Sequence, residues 1–427
     1  MIKPLIVITA LMTLIHTAPA ASELPAVLPP YLQNPTAEGM TICFLAQGAD
    51  QVRFAWSPEG QPAITNSTIA STPISGTPWT IWKARLAKLQ PGTRYQYQVL
   101  YHLPAGDAAT PAYHFRPLNP AAKSLRFAVF NDIHNHDDTL AALMRYVQPD
   151  DYEFSLLLGD MWTNPDASQG AGEVFRSLAA YLRLLNASEK PMVFVRGNHE
   201  TIGTFSDKMA CLFDLPNLDS AAGYIDQQWY FTLEAGPVWF VALDGGDDFI
   251  KRYELFQPYR QRQAEWLRGL VSQGAGAGAP WRILLTHMPL YNDNIWNSEP
   301  CRLAWEPVLT NASIDLEIGA HDHQWKQIGK GQTFDIQFNG HYPDQQDPLK
   351  RSHYSFTTPF PVLIGGGPNL KKGDDEGAVI LVTADKETLH ARWLAATDGR
   401  LLSEFTSTKG KPASPAPAVE NGNTSKP

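Results

Sequence analysis

Apolar positions recur along this chain with two different patterns, and the change of pattern divides it. Up to about Arg116 they fall in short runs such as Met40–Leu45, Val52–Trp56 and Tyr95–Tyr101, separated by turn residues. Tyr95, Tyr97 and Val99 alternate with Arg94, Gln96 and Gln98, the period of a half-buried strand, and Pro91-Gly92 supplies the turn before them. Residues 24–117 therefore read as an all-β sandwich of antiparallel strands. A Pro/Ala-rich connector spans 117–123. From Leu125 onward, continuous apolar runs of strand length alternate with segments of helical spacing. The strand candidates are Leu125–Asn131, Phe154–Leu158, Met192–Arg196, Val238–Ala242, Arg282–Thr286 and Ile314–Ile318. The helix candidates are Thr139–Val147, Glu173–Asn186, Gln261–Ser272 and Arg302–Leu309. This order predicts an α/β domain over 124–400, with sheet covered by helices. Over 408–427 the chain turns polar and rich in Pro, Ala, Ser and Lys, which predicts a disordered tail.

The first residues break the pattern. Lys3 precedes an apolar run from Leu5 to Ile15, too short to span a bilayer, and Ala18-Pro19-Ala20 has small residues at the spacing that precedes cleavage. Residues 1–20 read as a signal peptide, which places the mature chain in a periplasm or outside the cell. No later run is long and apolar enough for a transmembrane helix. A net charge of −9 argues against a surface that coats nucleic acid. Cys43, Cys211 and Cys301 form no CxxC pair, so a thiolate zinc site is not expected. In an oxidising compartment Cys211 and Cys301 are the pair to consider, with Cys43 buried in the first region.

The chemistry lies just after the strand candidates. Asp132-Ile133-His134 follows the first, Gly159-Asp160 the second and Gly197-Asn198-His199-Glu200 the third. His287 follows Arg282–Thr286, and Ala320-His321-Asp322-His323 follows Ile314–Ile318. In α/β sheets the carboxyl ends of strands open on one crevice, so these distant residues are expected to meet. Carboxylates, imidazoles and one amide suit borderline metals. Two such ions about 3.5–4 Å apart can clamp a phosphate and activate a water.

In this order the motifs resemble the calcineurin-like metallophosphoesterase superfamily, with D-x-H, G-D, G-N-H-[DE], a later His and G-H-x-H. The first region adds to the likeness: Pro30-Tyr31-Leu32-Gln33-Asn34-Pro35 and Leu89-Gln90-Pro91-Gly92-Thr93-Arg94-Tyr95-Gln96-Tyr97 resemble the fibronectin-type domain that precedes purple acid phosphatases. The resemblance implies a fibronectin-III-like sandwich followed by an αββα domain with two packed mixed sheets. It implies one metal held by Asp132, His134, Asp160 and His323, and another held by Asp160, Asn198, His287 and His321. The ions are divalent or trivalent, and Mn, Fe and Zn are all compatible. Asp160 bridges them, and His199 is the acid that stabilises the transition state or protonates the leaving alkoxide. Glu200 either orients His199 or is an acid at a helix start. The chain departs from purple acid phosphatases in two places. Their first motif is D-x-G where His134 stands here, and Thr163 occupies the position of their iron-binding tyrosine, which implies a colourless protein. Ala320 replaces the usual glycine of G-H-x-H, a position where backbone freedom matters.

His136, Asp137 and Asp138 read as a solvated helix start, and Asp244 as structural. Asn339-Gly340-His341 could approach the site, and Tyr291, Trp296 and Trp325 could form a substrate wall. The function implied is hydrolysis of small phosphomonoesters by a metal-activated hydroxide. A phosphodiesterase using the same site, and a non-catalytic adhesion or binding protein, are the alternatives. Oligomeric state is not readable.

Overall fold

The computed structural model describes residues 24–66, 69–247, 253–293, 295–337, 353–373 and 375–410. The expected leader at 1–20, positions 411–427 of the expected tail at 408–427 and Asn339-Gly340-His341 lie outside the described residues, as does the side chain of Trp296; Thr408, at the start of that expected tail, ends the strand Leu401–Thr408.

The first region is all β. One sheet orders the strands Tyr31–Gln33, Met40–Gln47, Trp79–Leu86 and Ala70–Pro73. The other orders Ile64–Asn66, Asp50–Pro58, Tyr95–Leu103 and Gly106–Ala109, with Tyr113–Phe115 also paired to Tyr95–Leu103. All these pairings are antiparallel. Their inner faces meet in one core, with Ile42, Phe44 and Ala84 from the first sheet against Phe54, Tyr97 and Val99 from the second.

Two six-stranded mixed sheets form the α/β part. The first runs Met192–Val195, Phe154–Leu158, Ser124–Phe130, Ala378–Asp385, Thr388–Ala395, Leu401–Thr408. Its first three strands are parallel and the rest antiparallel. The second runs Phe231–Ala235, Val238–Leu243, Trp281–Thr286, Leu316–Gly319, Val362–Ile364, Lys326–Ile328, parallel in its middle and antiparallel at both edges. Strand periodicity sorts its side chains onto two faces. Phe240, Ala242, Ile283 and Leu285 face the first sheet, where Phe240 meets Phe127 edge-on with ring centroids 5.2 Å apart. Trp239, Val241, Leu243 and Leu284 face outward, against Phe256, Tyr259, Leu267 and Trp305 of the helices Tyr253–Ser272 and Ile295–Ala312. The helices Asp137–Met144 and Gly172–Leu184 complete the first sheet's core through Leu140, Leu143, Phe175 and Tyr181.

The two outer helices are longer than the periodicity suggests because prolines interrupt the pattern. Pro258, Pro300 and Pro307 lie inside them. A proline in a helix interior costs about 3 kcal/mol, which burial of Phe256, Tyr259 and Trp305 offsets. The cysteine pairing is corrected: all three thiols are free. Cys301 is buried in the outer core beside the helices, whereas Cys211 packs against the inner one, so the layers keep them apart. Asp244 is structural. It accepts Arg196 Nε and Nη2 at 3.0 and 2.7 Å and the Tyr259 hydroxyl at 2.8 Å. This buried pair ties the end of Met192–Val195 to the end of Val238–Leu243, one strand from each sheet.

Glu317, in the strand Leu316–Gly319, is a buried acid with one satisfied oxygen. Oε1 accepts the Thr286 hydroxyl at 2.7 Å and the Leu290 N–H at 2.8 Å, while Oε2 has no partner. Burial pushes its pKa up from 4.5 to about 7 against those two donors. Between these values the folded state holds a proton that the unfolded state releases. Stability therefore falls as pH rises through that window, by on the order of 3 kcal/mol in all. Glu317→Gln keeps the accepting oxygen and removes the titration. Urea unfolding at pH 5 and pH 8 is expected to show the variant gaining stability relative to wild type at the higher pH; an unchanged difference would refute this account.

Candidate metal centre

Each candidate side chain sits where a strand stops. Asp132 and His134 follow Ser124–Phe130, Asp160 follows Phe154–Leu158, and Asn198 and His199 follow Met192–Val195. His287 follows Trp281–Thr286, and His321 and His323 follow Leu316–Gly319. The first three strands are parallel neighbours in one sheet, and the last two are parallel neighbours in the other. Packing the sheets face to face brings both sets of ends to one place.

The chain turns sharply there. Asp132 and His134 both have φ +49°, Asp160 +52°, His321 +70° and His323 +55°. A non-glycine residue in the left-handed region costs about 1–3 kcal/mol, so five of them in one site mark a strained, tightly constrained backbone. Ala320 is buried and is not among the positive-φ residues. The turn falls on the histidines beside it, which is why a methyl group is accommodated. Space is equally limited: a Cβ on Gly197 would lie 2.2 Å from Asp160 Oδ1, and one on Gly159 would lie 2.5 Å from His287 Nδ1.

The side chains converge in three overlapping groups, Asp132–His134–His323, His134–Asp160–His199 and Asp160–His287–His321, each with its donor atoms within 4.8 Å of one another. His134 Nε2 lies 2.9 Å from His323 Nε2 and 3.7 Å from Asp160 Oδ2. His287 Nε2 lies 3.2 Å from Asp160 Oδ2. Asn198 Oδ1 lies 3.0 Å from both His287 Nε2 and His321 Nδ1. His287 Nδ1 is 2.8 Å from the Leu158 carbonyl, which leaves Nε2 facing the cluster. His199 Nδ1 contacts the Thr163 carbonyl and its Nε2 lies 3.9 Å from Asp160 Oδ2.

The electrostatics call for positive charge. Burial raises the pKa values of Asp132 and Asp160, but the surrounding imidazoles outweigh it and hold both below the ordinary range. Burial likewise lowers His287, yet Asp160 and Asp132 carry it up to about 10. Burial wins at His134 and His321, each pushed down to about 4. A neutral imidazole is the form that ligates metal. Asp132 Oδ1 is buried without a hydrogen-bond partner and faces His323 Nε2 at 3.4 Å. An orphaned carboxylate oxygen amid inward-facing nitrogens fits metal ions better than a protein-only hydrogen-bond network.

Glu200 stands in the first turn of the short helix His199–Thr201, as one of the two sequence readings had it, and it also takes a role that neither reading contained. It is fully buried and accepts three backbone N–H groups, from Asp160 at 2.9 Å, Trp162 at 3.1 Å and Gly197 at 2.8 Å. It joins the second and third strand-end loops. His136 occupies the N-cap position of the helix Asp137–Met144 without a side-chain hydrogen bond to it. Tyr291 is buried in the outer core with its hydroxyl on Glu306, and Trp325 packs against the inner core. Thr163 turns its hydroxyl onto the His134 carbonyl at 2.9 Å.

Comparison with known proteins gives the same direction. The calcineurin-like phosphoesterase family model matches residues 125–325. Purple acid phosphatase 22 of Arabidopsis thaliana is 25% identical over 299 residues, covering 68% of this chain and 59% of that one. Phosphoenolpyruvate phosphatase of Allium cepa is 24% identical over 297 residues, covering 67% and 58%. The chain thus spans less than two thirds of the length of these curated relatives. Among solved structures, purple acid phosphatase PPD1 from Lupinus luteus seeds superposes with a TM-score of 0.67 at 15% identity, covering 90% of this chain and 74% of that one. PhoD superposes with a TM-score of 0.62 at 13% identity, covering 95% of each. At these identities the likeness is one of fold.

The Glu200 staple makes a stability prediction. Burial, together with the nearby Asp160 carboxylate, raises the Glu200 pKa to about 7. At pH 8, Glu200→Gln replaces one accepting oxygen by an NH2 that faces a backbone N–H. A loss of about 1–3 kcal/mol is expected in urea unfolding; an unchanged midpoint would show that the carboxylate does not hold the loops.

Proposed function

Because the chain carries a calcineurin-like phosphoesterase domain at residues 125–325, we propose that it is an exported phosphatase, hydrolysing small phosphomonoesters at a dinuclear metal centre. One ion is held by Asp132, His134, Asp160 and His323, and the other by Asp160, Asn198, His287 and His321. The convergence of those side chains in overlapping groups of donors carries this reading. The relatives' names are those of phosphatases, which favours a monoester. The apolar run from Leu5 to Ile15 favours export. The centre would take Mn, Fe or Zn, and the antiparallel two-sheet architecture supports a sandwich of fibronectin type III.

When bound, the two ions supply Lewis acidity, neutralising phosphoryl charge and lowering the pKa of the attacking water. The chain's own contribution is positional. Asp160 spans both halves of the cluster. Asn198 directs one amide oxygen between His287 and His321. His199 is the proton donor to the leaving alkoxide. Its Nδ1 is engaged by the Thr163 carbonyl, so the proton it delivers is on Nε2, the nitrogen facing Asp160.

Hydrolysis of an aryl phosphate and of an aryl phosphodiester, with and without added Mn, tests the assignment. The monoester is expected to be preferred. Asn198→Ala should lower metal-dependent turnover by at least about 100-fold, and His199→Gln should lower kcat by about 100- to 10,000-fold with KM little changed. A preference for the diester would move the assignment to a phosphodiesterase. A wild-type protein that binds no metal would leave the binding-protein alternative standing.

Thr163 supplies a spectroscopic check. With threonine where purple acid phosphatases carry a tyrosine ligand, the iron-loaded protein is expected to be colourless. A tyrosinate charge-transfer band in the visible spectrum would refute the alignment of Thr163 with that position.

A further inference from the structure

Asn131 immediately precedes Asp132 and is 2% exposed. Its Nδ2 donates to Asp132 Oδ2 at 2.7 Å and to the Gly366 carbonyl at 2.8 Å. The backbone N–H of His321 donates to the same carboxylate oxygen at 2.9 Å. Oδ2 thus receives two N–H donors, enough to occupy its in-plane lone pairs. Oδ1 of the same carboxylate receives none, and lies 3.4 Å from His323 Nε2 and 3.8 Å from His134 Nε2. We infer that Asn131 is a positioning residue that fixes which oxygen Asp132 presents to metal, and so sets the affinity of the ion shared with His134 and His323. The inference rests on the dinuclear reading above and extends it to a residue outside the ligand set.

The amide orientation follows from chemistry. Turned over, Asn131 would set its oxygen against a carboxylate oxygen and a backbone carbonyl, acceptor against acceptor. The two donors to Oδ2 come from different sheets, Asn131 after Ser124–Phe130 of the first and His321 after Leu316–Gly319 of the second, and the Gly366 carbonyl that accepts from Asn131 follows Val362–Ile364 of the second. Rotating the Asp132 carboxylate would break hydrogen bonds to both sheets at once. A charge-assisted pair of this kind is stronger than a neutral one.

Stability alone does not account for an amide here. Asn131 Oδ1 is buried without a partner. It lies against Gly365, where a Cβ would come within 1.8 Å of it. A buried acceptor left unmade is destabilising, whereas an apolar side chain of the same shape is tolerated. The chain therefore keeps a half-satisfied polar group, and a glycine beside it, at the one place where the donor grips the Asp132 carboxylate.

The test is Mn²⁺ titration of metal-stripped wild type, Asn131→Leu and Asn131→Ser by calorimetry, with bound ions per chain counted by mass spectrometry and thermal stability measured in parallel. Leucine matches the shape without the donor, and serine is too short to reach Oδ2. Wild type is expected to take up two ions. In Asn131→Leu one of them should bind about 10- to 100-fold more weakly, as loss of a group that orients a ligand does, with the other affinity within about threefold and the melting temperature equal or higher. A purely structural asparagine would instead lower the melting temperature and leave both affinities alone. If the leucine variant does not fold, the serine variant carries the same expectation for the ions. Two unchanged affinities, or an equal weakening of both, overturns the inference while leaving the dinuclear reading intact. A wild type that takes up none of Mn²⁺, Fe²⁺ and Zn²⁺ in the same titration sinks both.

Discussion

The face-to-face contact of the two mixed sheets is the constraint on which the rest of the structure depends. Neither sheet carries the whole cluster of donor side chains. Asp132, His134, Asp160 and Asn198 stand on the first, and His287, His321 and His323 on the second. Their separation is set by side chains far below, such as Phe127 and Phe154 against Phe240, with ring centroids 5.2 and 6.1 Å apart. Interiors packed to crystal density do not let such layers slide. An apolar alternation that says nothing about chemistry therefore fixes where the chemistry happens. The inner core holds the sheets in register, and parallel strand direction then delivers the ligands to one rim.

At that rim the local physics is unfavourable. Carboxylates are buried, imidazoles crowd one another and five non-glycine residues adopt left-handed backbone. Buried polar groups oppose this from behind the ligands. Glu200 accepts N–H groups from the Asp160 and Gly197 loops, Asn131 grips Asp132, and Arg196 crosses to Asp244. The Glu200 and Arg196 contacts join segments distant in sequence, and removing one partner of the buried Arg196–Asp244 pair would be destabilising. The result is a cluster of donor side chains held by buried polar contacts, at the expense of strain that the two cores absorb.

Much of this was legible in the sequence. Strand ends followed by Asp, Asn or His could be read directly, because each apolar run of strand length stops where those polar residues begin. What could not be read depended on contacts across the fold. Glu200 was open between orienting His199 and starting a helix. Its partners, Asp160 and Trp162, lie 40 and 38 residues away and are reached only after two strands pair. The proposed Cys211–Cys301 pairing failed for the same reason, since spacing along the chain does not say which side of a sheet a residue occupies. Pro258, Pro300 and Pro307 concealed helix length, because a propensity is a local preference and the outer core is not local. Asn131 carried one usable signal, a polar residue closing an apolar run just before the first ligand.

The β-sandwich contributes to the inner core rather than to the rim: among the described residues the donor groups draw on positions 132–323. Tyr31, Cys43, Leu45, Trp79 and Ile81 are buried in the same cluster as Phe175 and Phe213, and Trp79 stacks on Phe175 at 4.9 Å. Asp214 receives Thr41 at 2.6 Å and Arg85 at 2.6 Å, and the Tyr31 hydroxyl donates to the Leu212 carbonyl at 2.7 Å. Such an interface shares a core instead of touching at a surface, unlike the polar contacts typical between mobile domains. Phe175 lies in the helix Gly172–Leu184 and Phe213 stacks on Phe194 beside Asn198's strand, with centroids 4.1 Å apart. The sandwich thus braces the strands that carry Asp160 and Asn198 from the side opposite the second sheet. Its bearing on the metal centre is mechanical, transmitted through packed aromatic rings rather than through any group it contributes.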